Sequence, residues 1–205
     1  MSGFPLLLHG ERVLALVVGG GPVAHRKAMA LLRSGATVRV VAPRMTQPLR
    51  DVASERPAAK LELIERAYQA DDIADATLVV AATDSRTVNA RVAADARARA
   101  RLVNVADRPS EGNCATVAVH RAGPLIAGIS AGGVPRAAAR VRDQVAKRFD
   151  DRYAVALTAL SELRSRLLAD GEDDAWHEAE HELIGADFCD VVESGMFAER
   201  MAKWA

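Results

Sequence analysis

Three consecutive glycines near the start of the chain have the spacing of a turn that binds phosphate. The run Gly19-Gly20-Gly21-Pro22-Val23-Ala24 fits the pattern G-x-G-x-x-A. The first and third glycines would let the backbone bend sharply and approach a pyrophosphate, and the small Ala24 would let a helix pack closely on a strand. Glycine triplets also occur in ordinary loops. Between a strand and a helix, however, this spacing favours a dinucleotide ligand.

An aspartate and a set of basic side chains could act on a charged substrate. Asp107 is the only acidic residue in the segment Arg101–Pro109, and it could serve as a base, as an orienting group or as a guide for a metal ion. An aspartate before Arg-Pro is also typical of a turn. The basic residues that follow it are Arg108, His120, Arg121, Arg136 and Arg140. Arginine suits carboxylate ligands, although the same residues could form a solvated helix face.

A second motif indicates different chemistry. His177, Glu178 and His181 fit H-E-x-x-H, which on a helix places two histidines on one face for zinc, with the glutamate as a base. Glu199 lies downstream as a candidate third ligand. The motif lies in an acidic helical region without a recognisable protease scaffold, so a solvated helix is the favoured interpretation and no metal ligand is assigned. A zinc hydrolase would instead hold zinc tightly and lose it on His177→Ala.

The segments around the glycines and Asp107 predict an α/β fold with a doubly wound parallel sheet. Five apolar or β-branched segments alternate with helical ones, and they are Leu14–Val18, Ala36–Ala42, Lys60–Glu65, Thr77–Ala82 and Arg101–Ala106. Helices are predicted at about Val23–Arg33, Thr46–Glu55 and Arg86–Ala100, and a further short strand at Phe4–Leu8. Ligands of such sheets bind at the carboxyl ends of the strands, where the glycines, Pro43, Arg44, Thr83 and Asp107 would lie.

The residues alone leave the choice between NAD and NADP open. Many NAD-binding proteins have an acidic residue after the second strand for the adenosine ribose. Here Pro43-Arg44 occupies that place, and Arg44 could contact a 2′-phosphate instead.

The pattern changes after Pro109. Cys114–His120 and Pro124–Ser130 predict two antiparallel strands, a small addition that could pair across a dimer. An arginine-rich helix begins at Pro135, and beyond Asp150 the chain is predicted to be helical, with an acidic break at Asp170–Asp174.

Composition limits the class of partner and the compartment. The 205 residues include 27 Lys plus Arg and 27 Asp plus Glu, so no overall charge favours nucleic acid or an acidic membrane surface. Cys114 and Cys189 form no disulfide framework, and no apolar run approaches the ~18 residues of a membrane span. We therefore expect a cytoplasmic protein.

Four motifs together resemble the precorrin-2 dehydrogenase/sirohydrochlorin ferrochelatase family, which includes the dehydrogenase module of siroheme synthase. They are VVGGGPVAHRKA at Val17–Ala28, AATD at Ala81–Asp84 with Val88-Asn89 after it, NVADRP at Asn104–Pro109, and GISAGGVPRAAARVR at Gly128–Arg142. The resemblance is strong from Phe4 to about Arg142.

The resemblance implies a homodimer with three domains: an NAD-binding Rossmann domain at 1–112, a small α+β dimerisation domain at 113–149 and a helical domain at 150–205. It implies NAD-dependent oxidation of precorrin-2 to sirohydrochlorin, and in many members insertion of ferrous iron to give siroheme. A dehydrogenase without chelatase activity and a non-catalytic module that senses NAD or tetrapyrrole are the alternatives.

The expected site residues come from the resemblance together with the motifs and the basic side chains described above. The resemblance implies that Asp107 is the functional aspartate and that Pro22-Val23 and Pro43-Arg44 contact the dinucleotide. The expected cofactor contacts are Gly19, Gly20, Gly21, Pro22, Val23, Pro43, Arg44, Thr83, Asn104 and Val105. The expected substrate contacts are Arg108, His120, Ser130, Gly132, Arg136 and Arg140. Many members have a second serine before the two glycines, where this chain has Ala131, so the role of that hydroxyl is in question here.

Overall fold

A five-stranded parallel sheet organises the first part of the chain. In the computed structural model, which describes residues 3–55 and 60–204, the strands are β1 (Leu14–Val18), β2 (Thr37–Val41), β3 (Leu61–Ile64), β4 (Leu78–Ala81) and β5 (Leu102–Val105). Their order in the sheet is β3-β2-β1-β4-β5, and every neighbouring pair is parallel. This is the order of a Rossmann-type sheet.

Helices cover the sheet because the central strands are apolar on both faces. Residues 15–18 of β1 and all of β4 are buried. Helix α1 (Pro22–Arg33) packs on the same core layer as Ala15 and Val17, and α3 (Arg86–Ala98) packs on the layer that contains Leu16 and Val18. Helix α2 (Gln47–Ser54) connects β2 to β3. Near-continuous apolar runs are typical of parallel strands that are covered on both sides.

The strand order reverses between β1 and β4. The glycine turn follows β1 and the loop that begins at Ala82 follows β4, so the two loops leave the sheet side by side. A crevice of this kind, at the carboxyl ends of the strands, is where ligands bind in open α/β sheets.

The five predicted strands and three predicted helices are confirmed, with ends that differ by one or two residues. The predicted strand at Phe4–Leu8 is wrong, because residues 3–9 form no strand and the Phe4 side chain is 90% exposed. The outer edge of β5 is covered by Asn113 and Cys114. Both residues donate their backbone N–H to Val103 O, at 3.0 and 3.3 Å.

The chain divides into two units, 1–116 and 117–205. The second unit begins with an antiparallel hairpin of β6 (Ala118–Ala122) and β7 (Leu125–Ile129), as predicted, although β6 starts four residues later than expected. Cys114 is not part of it, because its backbone bonds to β5 in the first unit. The proposed division of 113–205 into a dimerisation domain and a helical domain stays a prediction.

Five helices complete the second unit. They are α4 (Pro135–Arg148), α5 (Asp151–Ala169), α6 (Asp173–Leu183), α7 (Phe188–Ser194) and α8 (Phe197–Met201). Helix α4 packs on the hairpin, and α5 packs on α6, α7 and α8 around a core that includes Leu160, Trp176 and Phe197. Across the described ranges 3–55 and 60–204, no helix has the length and apolar character needed to cross a membrane.

Asp72 provides a test of stability away from the candidate site, in the segment that precedes β4. It lies in a short 3-10 helix, Ala70–Ile73, before β4, and its buried carboxylate accepts from Arg66 Nη1 at 2.9 Å and from Gln69 N at 2.8 Å. The Arg66 guanidinium, followed by the Gln69 backbone amide, lowers the pKa of Asp72 from its ordinary value of 3.8.

We expect Asp72→Asn to lower the free energy of unfolding by about 1–3 kcal/mol at pH 7, because it weakens charge-assisted hydrogen bonds. A lowered folded-state pKa stabilises the fold above the unfolded-state value. The difference between wild type and variant should therefore be complete above about pH 4 and shrink as pH falls through the folded-state pKa. Urea unfolding at several pH values measures it, and a difference that does not depend on pH would contradict the assignment.

Candidate functional site

The first two glycines of the turn allow three loops to approach each other closely. Gly19 has φ +131°, and a Cβ there would lie 2.3 Å from Ala82 O. A Cβ on Gly20 would lie 2.0 Å from Arg44 O, and Gly20 O accepts from Thr46 N at 2.9 Å. The turn after β1 is therefore packed between the loops after β2 and β4, and neither position has space for a side chain.

Gly21 differs from its neighbours because it faces open space. A Cβ there would meet no heavy atom within 4 Å, and Gly21 O accepts from His25 N at 3.0 Å as α1 begins. No side chain caps the start of α1, and its first turn contains no acidic residue. The backbone N–H groups and the dipole of α1 are thus directed at a space that an anion could occupy.

Asn89 connects the loop after β4 with the loop after β5. Its side chain is 1% exposed, on the face of α3 that packs on the sheet. Asn89 Oδ1 accepts from Thr83 N at 3.0 Å and from Thr83 Oγ1 at 2.8 Å. Asn89 Nδ2 donates to Thr83 O at 3.1 Å and to Asp107 Oδ1 at 2.9 Å. One buried amide therefore holds both loops.

A charged group flanks the other side of the Asp107 carboxylate. Arg86 Nη1 lies 3.7 Å from Asp107 Oδ2, and Arg86 also pairs with Glu111. The hydrogen bond that Arg86 donates to Glu111, and to a lesser extent the charge of Asp107, raise the pKa of the Arg86 guanidinium. The Asp107 side chain is 38% exposed, so one oxygen is fixed by an amide while the carboxylate remains open to a ligand.

The remaining cofactor candidates of the first unit differ in exposure. Pro43 and Arg44 are exposed after β2, and Pro22 and Val23 are exposed at the start of α1. Asn104 and Val105 lie within β5 instead. The Val105 side chain is in the core, so only its backbone could contact a ligand. Asn104 Nδ2 donates to Cys114 O at 3.2 Å, and its Oδ1 is buried without a partner in the part of the chain that the structure describes.

The substrate candidates are divided between the two units. Arg108 is exposed in the first unit, 3.9 Å from Glu111 through its Nε. In the second unit, Ser130 and Gly132 lie in the loop between β7 and α4, and Gly132 has φ +57°. Arg136 and Arg140 lie one turn apart on α4, both exposed.

His120 occupies a different setting in the second unit. Its ring is half-buried on β6, and Nε2 lies 2.6 Å from Phe149 O. Because a carbonyl oxygen can only accept, His120 Nε2 is the donor in this bond.

The H-E-x-x-H motif lies on α6, with His177 and His181 both exposed. His177 Nδ1 lies 2.7 Å from Asp173 O, one turn earlier, and therefore donates to it. Among the residues that the structure describes, no three His, Cys, Asp or Glu side chains form a group that could hold a metal ion. Glu199 is therefore not grouped with the histidine pair in the described part of the chain.

Comparison with known proteins assigns the first unit. Residues 6–118 match a family model described as NAD(P)-binding, which covers more than half of the chain. The chain belongs to this NAD(P)-binding family. The match begins before β1 and ends in β6, so the glycine turn, Thr83, Asn89 and Asp107 all lie within it.

Curated relatives and one solved structure extend the comparison beyond the NAD(P)-binding region. The chain is 41% identical over 135 residues to a siroheme synthase of Pseudomonas fluorescens and 37% identical over 168 residues to one of Pseudomonas paraeruginosa, matches that cover 65% and 82% of the chain. They span only 28% and 36% of those relatives' length. The structure of SirC, a precorrin-2 dehydrogenase, is 25% identical with a TM-score of 0.75, and the match covers 98% of this chain and 100% of SirC. These likenesses confirm the resemblance to the precorrin-2 dehydrogenase family.

The buried Asn89 of α3 is a residue of the NAD(P)-binding unit to which the sequence motifs assign no separate contact. Asn89 was noted only as part of a motif, yet its amide joins Thr83 to Asp107. A signal was present in the spacing. Asn89, Val92, Ala93 and Ala96 are the buried residues of α3, at i, i+3, i+4 and i+7, and Asn89 is the one polar residue on that face.

Proposed function

We propose that the chain catalyses the NAD-dependent oxidation of precorrin-2 to sirohydrochlorin. The observation that carries this proposal is the likeness to SirC, which extends over 98% of the chain and thus beyond the NAD(P)-binding region. The position of Asp107, an accessible carboxylate at the carboxyl end of β5, supports it. Because the chain matches about a third of each curated relative, the proposal concerns the activity of this part alone.

The residues present fit a dinucleotide. Gly21 leaves open space in front of the start of α1, where a pyrophosphate would meet backbone N–H groups. We propose that Gly19, Gly20, Gly21, Pro22 and Val23 hold the pyrophosphate side, with Pro43, Arg44, Thr83 and the backbone of Asn104 and Val105 along the crevice. NAD is the proposed cofactor, and Arg44 is the position at which a preference for NADP would be found.

The reaction removes two hydrogens from the macrocycle, one as a hydride and one as a proton. Bound NAD supplies the hydride acceptor. Asp107 is the proposed base and would act through Oδ2, because Oδ1 accepts from Asn89. The Arg86 guanidinium lies beside this oxygen, with Nη1 at 3.7 Å from Oδ2.

The substrate has eight carboxylates, which requires several cationic or donor groups. We propose that Arg108, His120, Ser130, Gly132, Arg136 and Arg140 bind them, with Ala131 in place of the family's second serine. We further propose a homodimer through the hairpin. Val119 and Ile126 lie on the face of the hairpin away from its buried residue Ala122, and each is 39% exposed.

An anaerobic assay with freshly generated precorrin-2 and NAD, without metal, tests the proposal. NADH absorbance and the tetrapyrrole spectrum are recorded together, and we expect NADH to rise in step with sirohydrochlorin. Absence of NADH with either NAD or NADP would overturn the proposal and favour a sensing role.

Ferrous iron added to the same sample tests chelatase activity, which we propose as a second step. A spectral change faster than in a protein-free control would support it, and a rate equal to the control would leave a dehydrogenase only. We place these reactions in the cytoplasm, because both cysteines, Cys114 and Cys189, are free.

A further inference from the structure

The buried amide of Asn89 makes hydrogen bonds to two loops of the candidate site. All of its side-chain hydrogen-bond partners belong to two loops, the loop after β4 through Thr83 and the loop after β5 through Asp107. It is 1% exposed, so water does not compete for these bonds. A buried amide that is fully bonded fixes the orientation of every group it contacts.

The nitrogen of the Asn89 amide, and not its oxygen, bonds to the proposed base. In the described part of the chain, Asn89 Oδ1 accepts from Thr83, on the side where the cofactor is proposed to bind. Asn89 Nδ2 donates to Asp107 Oδ1, on the side of the proposed base, and also to Thr83 O. A buried donor from a neutral amide orients the carboxylate that accepts from it. The donor also directs the second oxygen of Asp107 away from Asn89, next to Arg86 Nη1 at 3.7 Å.

We propose that Asn89 is a positioning residue that couples the cofactor loop to the base, because its amide holds Thr83 with both its oxygen and its nitrogen and holds the Asp107 carboxylate with its nitrogen. This inference goes beyond the proposed function but rests on it for the role of Asp107. Asn89 itself contacts neither ligand, because its side chain is enclosed between α3 and the two loops.

Asn89→Asp tests the proposal because it keeps the acceptor and removes the donor. The two bonds from Thr83 N and Oγ1 can persist, whereas an oxygen replaces the nitrogen that donates to Asp107 Oδ1 and to Thr83 O. We expect kcat for precorrin-2 oxidation to fall about 10- to 100-fold while the dissociation constant of NAD changes less than about threefold. Asn89→Ser, which is smaller and leaves room for water, provides the same comparison if Asn89→Asp does not fold.

Asp72→Asn is the matched control. It also exchanges a buried amide and a carboxylate, but at the opposite edge of the sheet, where Asp72 bonds to Arg66 and Gln69. It should lower the melting temperature without changing kcat. If Asn89→Asp lowers kcat only because it destabilises the fold, Asp72→Asn should lower kcat by a similar factor for the same loss of melting temperature. That result would overturn the proposal.

The double variant Asn89→Asp/Asp107→Ala decides whether Asn89 acts through Asp107. If it does, Asn89→Asp has less than a twofold effect on the residual turnover once Asp107 is removed. If the double variant instead loses turnover by the product of the two single-variant factors, the coupling between Asn89 and Asp107 is overturned.

Hydrogen exchange separates failure of this inference from failure of the proposed function. Asn89→Asp should speed amide exchange in residues 105–109 while Asp72→Asn does not. This comparison needs no substrate, so it applies even if the wild-type protein produces no NADH. Unchanged exchange in residues 105–109 would overturn the inference.

Discussion

Replacing Asp107 by alanine is expected to lower the turnover of precorrin-2 about 10²- to 10⁴-fold, the range that a positioned acid or base contributes. The side chain is 38% exposed and lies in a loop, so its loss leaves the sheet intact. Affinity for NAD should be retained, because Thr83 and the glycine turn do not depend on Asp107 for their own hydrogen bonds. Steady-state kinetics, together with NAD titration and a thermal melt, measures the three effects.

Asp75→Ala is the matched control for this prediction. Asp75 is also an exposed carboxylate, but it precedes β4 at the opposite edge and pairs with Arg39 at 3.3 Å. Its removal should leave kcat unchanged. Normal turnover by Asp107→Ala in every activity of the protein would remove the residue from the mechanism.

Gly21→Ala is expected to weaken NAD binding while the fold persists. The new methyl group would meet no protein atom within 4 Å, and the loss of glycine at the helix N-cap should cost no more than about 1 kcal/mol. The methyl would occupy the space in which the pyrophosphate is proposed to lie, so we expect affinity to fall by about tenfold or more, equivalent to ~1.4 kcal/mol. Calorimetric titration with NAD measures the loss.

Gly19→Ala makes the opposite comparison within the same turn. There φ is +131° and the Cβ would lie 2.3 Å from Ala82 O, so the substitution should destabilise the fold itself by at least ~2 kcal/mol. Thermal unfolding should therefore separate the two variants, with Gly21→Ala close to wild type. Wild-type NAD affinity in Gly21→Ala would show that the dinucleotide does not approach this turn.

The sheet was predictable because its strands carry a local signal. Residues 78–81 and 15–18 are short apolar runs bounded by turn residues, and burial on both faces follows from that pattern alone. The segment Phe4–Leu8 has a similar composition but forms no strand, so local pattern and structure disagree there. Whether an apolar segment becomes a strand depends on pairing with another strand, which spacing does not encode.

The candidate site was predictable as a location, because the carboxyl ends of parallel strands meet at one edge. The contacts within it were not. Asn89 and Asp107 are 18 residues apart, and their 2.9 Å hydrogen bond depends on how α3 is rotated against β5.

The Asn113–Cys114 segment covers part of the outer edge of β5, and this bears on aggregation. An exposed strand edge offers free N–H and C=O groups to other chains and promotes aggregation. Here Val103 has both backbone groups engaged, its O by Asn113 N and its N by Asn113 Oδ1 at 2.7 Å. The residues that follow the Rossmann sheet thus cover the β5 edge at Val103, and we expect a protein that ends at residue 112 to leave these two backbone groups exposed.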